Sequence, residues 1–89
     1  MITKTFVQMY HSRDTECRYY NWEDTSYSYE EGVAKLHNNP DSWTKGFRIV
    51  EKTFHPEDFY ISIRVIKTTM REYNWNTSEW EIKEYMEEN

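Results

Sequence analysis

Eighty-nine residues with a formal net charge of -5, 37% hydrophobic and 18% aromatic, form a chain too short for a second hydrophobic core and too rich in rings to be a disordered, charge-swollen coil. No run approaches the 18 or more apolar residues of a membrane-spanning helix. No apolar stretch of signal-peptide length follows Met1, and a single cysteine, Cys17, gives no intrachain disulfide, so the expectation is one domain over residues 1–89 in a cytoplasmic, reducing setting without membrane contact.

Ile2 to Tyr10 reads as a strand with Ile2, Lys4, Phe6, Gln8 and Tyr10 on one face and Thr3, Thr5, Val7 and Met9 on the other. His11 to Thr15 is polar and turn-like. Cys17 to Trp22 is strand-like again, giving a hairpin with the first strand. At Ser28 the period changes: Ser28, Tyr29, Glu30 and Glu31 fit the capping box that opens a helix, here over Tyr29 to Asn38. Gly32 lies in the middle of it, which costs about 1 kcal/mol relative to Ala and points to tertiary support or a close approach to the sheet. Pro40 stops the helix, because the residue before a proline is pushed out of the α region.

Lys45 to Phe54 is the third strand, His55 to Asp58 a turn, and Phe59 to Glu72 the strongest strand of the chain. In it Phe59, Ile61, Ile63 and Val65 alternate with Tyr60, Ser62, Arg64, Ile66 and Thr68, and the apolar face is expected to be core. Tyr73 to Ser78 turns the chain, and Glu79 to Met86 closes the sheet with Trp80 and Ile82 inward. The expected fold is α+β, in the order β-β-α-β-β-β, with an antiparallel sheet of about five strands and one short helix on one face. Phe6, Phe47, Phe59 and Trp80 are the expected core rings. The outer face is expected to bring Arg48, Lys52 and Arg64 beside Glu79, Glu81 and Lys83.

The charge is unevenly placed. Residues 1–71 are neutral, with ten bases against ten acids, and residues 72–89 carry six glutamates against Lys83. A localised acidic end repels nucleic-acid backbone and steers toward basic surfaces, or simply keeps an aromatic chain soluble.

The residues do not assemble a recognisable catalytic or metal motif. Phosphate loops need clustered glycines, and Gly32 and Gly46 stand far apart. One cysteine with His11, His37 and His55 has no zinc-ligand spacing. Cys17 beside Arg18 reads as a packed side chain before it reads as a nucleophile. Acidic doublets such as Glu30 with Glu31 point apart on any regular element. The expectation is a non-enzymatic protein without cofactor or metal.

Recognition of another protein fits best, because Tyr, Trp and Arg dominate interface hot spots. Two aromatic segments exceed what one small core absorbs: Tyr19, Tyr20, Trp22 and Tyr27 in the first, and Tyr73, Trp75 and Tyr85, interleaved with Glu79, Glu81 and Glu84, in the second. A basic partner surface is expected, with the acidic end imitating nucleic-acid phosphates. In composition alone the chain resembles the small accessory proteins of phages and mobile elements, a resemblance that implies inhibition of a host enzyme or defence system. A second function is single-stranded nucleic-acid binding by a sheet face carrying Arg18, Tyr20, Trp22, Arg48, Lys52, Tyr60 and Arg64, although the acidic pI of about 5.1 opposes it. A third is a homodimer that spends the aromatic surplus on itself.

Overall fold

The computed structural model describes residues 1–11, 21–39 and 43–86. Its elements are β1 (Ile2–His11), β2 (Asn21–Thr25), α1 (Tyr29–Asn38), β3 (Thr44–His55), β4 (Tyr60–Asn74) and β5 (Glu79–Met86). The strands form one antiparallel sheet in the order β2-β1-β3-β4-β5, with α1 packed on β3. This is the expected α+β architecture, and α1 and β5 have the expected bounds. The expected strand over 17–22 enters the described residues only at Asn21. Arg18, Tyr19 and Tyr20 lie outside them, as do Cys17 and most of the expected turn after His11.

Local chemistry accounts for the helix. Ser28 Oγ accepts a 3.1 Å hydrogen bond from the Glu31 N–H, Glu30 and Glu31 occupy the first turn, and Asn39 N–H closes on Lys35 O. α1 buries Gly32 and Leu36 against the sheet face that carries Met9, Phe47 and Thr69, which are directly opposed across three strands. Phe47 and Leu36 are fully buried there. The ring of Phe47 lies where a Cβ on Gly32 would stand, so of the two roles its position left open the glycine serves the close approach.

The other face, left open by the helix, carries Ile2, Lys4, Phe6, Gln8 and Tyr10 of β1, with Gly46 to Phe54 at alternate positions of β3. Val50 is fully buried on it, between Phe6 and Val65. Arg48 and Lys52, which flank Val50 along β3, lean toward β1 and β2: Arg48 reaches Gln8 and lies over Trp22, and Lys52 reaches Asp24 and lies over Phe6.

Two expectations fail here. Ile61 and Ile63 are not core: they are 57% and 54% exposed, because they lie on the side of the sheet away from α1 and beyond the half-buried Val65, which flanks the buried Val50. Among the expected core rings Phe47 alone is fully buried. Phe59 is 89% exposed, in the turn before β4 and with a left-handed φ of 52°, and Trp80 is half-exposed. Alternation identifies an apolar face without supplying anything to cover it. A helix of ten residues spans about 15 Å, whereas the fifteen residues of β4 span roughly 50 Å.

Candidate protein-docking face

Beyond the helix the sheet narrows to three strands. β1 pairs with β2 only from Val7 onward, and β4 pairs with β5 only from Lys67 onward. Among the described residues, Ile2–Phe6, Val50–His55 and Tyr60–Val65 therefore form a three-stranded extension. Its two faces differ in chemistry. Thr3, Thr53 and Ser62 stand in one row on the helix side, next to Glu51 and Arg64, which are 3.7 Å apart. On the open side Ile2, Phe54 and Ile61 are directly opposed, and the next row is Lys4, Lys52 and Ile63. A groove of about 320 Å³ runs between them, lined by Ile2, Lys4, Phe6, Lys52, Phe54 and Ile61. Four half-exposed large apolar side chains on adjacent strands form a contiguous patch rather than scattered residues.

A bulge decides which side chains share this face. Ile49 opposes Lys67 but Val50 opposes Val65, so Ile66 is left without a partner on β3 and the alternation of β4 slips by one. Arg64 consequently stands on the helix face against Glu51, while Arg48 and Lys52 stand on the open face. The expected outer face with all three cations does not form. Tyr60 also lies on the helix side, stacked on His55 with ring centroids 4.3 Å apart, so the residues proposed for stacking nucleic acid are divided. Trp22 and Arg48 do meet, with the guanidinium 4.3 Å from the ring centroid.

The second expected surface is divided in the same way. Tyr73, Trp75 and Trp80 form an edge-to-face cluster with centroid distances of 4.7 and 5.4 Å. Lys45 and Arg71 lie over the Trp80 ring, and Arg71 also donates to Leu36 O at the end of α1. This cluster belongs to the helix side. Glu81 and Tyr85 belong to the open face, where Tyr85 donates to Glu72 at 2.7 Å and Glu81 accepts from Asn74 at 2.9 Å. Glu79 opposes Asn74 on that same face and is exposed. Glu84 pairs with Lys67 at 3.0 Å on the helix side. Several of the glutamates that were to imitate phosphates are thus engaged within the chain. Tyr27 stands edge-on to Phe47 with Lys35 over its ring.

The titrations of Asp24, Tyr85 and Lys67 are each shifted by a visible neighbour. Hydrogen bonds from Lys52 and Gln8 hold the Asp24 carboxyl below the usual carboxylate range. The hydrogen bond to Glu72 pushes the Tyr85 phenol up, and the bond to Glu84 raises the Lys67 ammonium. These groups lie on different strands and do not converge on a cleft. A second cleft, of about 190 Å³, lies between α1 and the sheet beside His11, Lys35 and Thr44, below the usual size of a ligand pocket. Among the described residues no group of three or more His, Cys, Asp or Glu is placed to hold a metal ion, and no helix is long and apolar enough to cross a membrane.

Sequence reasoning named the Tyr and Trp segments as the sites and missed the Ile2–Phe54–Ile61 row. Its signal is the alternation of Ile61, Ile63 and Val65, which by itself marks an apolar face and reads as core. Comparison of the chain with protein-family models, with curated proteins and with solved structures gives no match.

Proposed function

We propose that the protein is a non-enzymatic protein-binding module whose docking face is the open side of the β1–β3–β4 extension. The observation that carries this reading is the row Ile2, Phe54 and Ile61 with Ile63 behind it, each about half exposed on three adjacent strands. Contiguous apolar surface of this kind costs solubility and is characteristic of interaction sites. The acidic strand supports a docking function less directly, since Glu81 and Glu84 are held by Asn74 and Lys67.

The test is capture of partners by the full chain, by an Ile61→Glu, Ile63→Glu variant and by a Glu79→Lys variant. A partner lost with the isoleucines and kept with Glu79→Lys places the site on the extension. The reverse pattern transfers the function to the acidic strand and overturns this reading.

A further inference from the structure

The open face carries two like-charge pairs of opposite sign. Lys4 stands directly across from Lys52 on β1 and β3, and Glu72 directly across from Glu81 on β4 and β5. Like charges directly opposite are unfavourable in a sheet. Lys52 is relieved by Asp24, Glu72 by Tyr85, and Glu81 by Asn74 and by Lys83, which lies 3.9 Å away on the same face, whereas Lys4 has no carboxylate partner among the described residues. The two pairs are separated along β4 by the distance from Ile63, which opposes Lys52, to Glu72, roughly 25–30 Å at the rise of a strand.

We propose that the partner of the docking face is a second copy of this chain, stacked face to face with its strands reversed. The Lys4–Lys52 pair of each copy then meets the Glu72–Glu81 pair of the other. The inference rests on the reading of this face as a docking surface and supplies its partner. A two-fold axis lying between the sheets near the midpoint of the two charge pairs exchanges them, so both contacts form at once. Sheets stacked about 10 Å apart bring lysine and glutamate ends within reach of each other.

Charge and area select this arrangement over a contact of the two tips. Tip against tip would set the lysine pairs of both copies together. It would also bury only the apolar patch, on the order of 400 Å², where a stable interface needs about 800 Å² from each partner. The reversed stack adds the other end of the face, with Met70 and Tyr85, and lays Ile2, Phe54 and Ile61 of each copy over the Asn74–Glu79 row of the other.

Sedimentation velocity on the full chain tests the proposal, from low micromolar to several hundred micromolar protein and at low and high salt. The expected result is a dimer that weakens at least about tenfold as salt rises. Lys4→Glu and Glu81→Lys, each shown to be folded by circular dichroism, are expected to be monomeric alone because each sets like charges across the interface. Mixed in equal amounts they are expected to form a heterodimer, in which both contacts are again lysine to glutamate. A wild-type monomer throughout, or a mixture that associates no better than its components, overturns the proposal. If the wild type is monomeric while the Ile61→Glu, Ile63→Glu variant still loses a different captured protein, self-pairing fails and the docking face stands. If that variant changes neither association nor capture, both fail.

Discussion

Gly32 and Phe47 are in direct contact: the phenylalanine ring occupies the position that a side chain on the glycine would take. This contact seats α1 on β3, and it makes a residue that weakens the helix locally favourable in the whole.

Gly32→Ala is therefore expected to destabilise. The substitution gains about 1 kcal/mol of helix propensity, but the new methyl forces Phe47, which is fully buried, out of its rotamer at a cost of about 1–3 kcal/mol. Urea denaturation is expected to show a net loss of up to about 2 kcal/mol, with little change in slope. A more stable variant would show that the contact yields easily.

The two sides of the Val50 row give a second expectation. Val50→Ala is expected to cost about 2 kcal/mol, because the valine is fully buried. Ile61→Thr and Ile63→Thr, at half-exposed positions on the same face, are expected to fall within about 0.5 kcal/mol in dilute protein. Thermal unfolding of the three variants at a concentration below any self-association measures the contrast.

Acid is expected to weaken the β1–β2 edge through Asp24. Its folded carboxyl titrates below the unfolded value, about 3.9, so its contribution is fully present above that value and is lost as the pH falls through the folded one. The side chain is 45% exposed, and solvent screening keeps the effect to a fraction of a kcal/mol. Asp24→Asn is expected to be slightly less stable than the wild type at pH 6, with the gap closing below about pH 4. Denaturation midpoints across this range measure it.

At the alkaline end Tyr85 supplies the opposite sign. Its phenol is raised by the bond to Glu72, so the stability it contributes is present below the unfolded value of about 10 and is lost as the pH rises through the folded one. Tyrosine ring NMR titration of Tyr85, assigned by its loss in Tyr85→Phe, is expected to give a value above the ordinary one. Glu72→Gln is expected to bring it back down.

Much of the fold can be read along the chain. Ser28 starts the helix by accepting from the Glu31 N–H, and in the sequence Pro40 follows its last residues. The alternation of β1 places Phe6, Gln8 and Tyr10 on one face in the register that the sheet adopts. These are local facts, set by side-chain geometry over a few residues.

What the chain alone determined was the element order, the helix bounds and the presence of an apolar face on β4, with Gly32 marked for tertiary support or a close approach; that Phe47 is what approaches it was decided by the tertiary structure. Tertiary structure decided which face the helix covers, because that depends on where a ten-residue helix is carried by its connections. It also decided that Arg64 parts from Arg48 and Lys52, since one unpaired residue at Ile66 reverses the alternation only when β3 and β4 are in register. The same pairing set Lys4 against Lys52 and Glu72 against Glu81, residues far apart in sequence whose charges oppose each other only once the strands lie side by side.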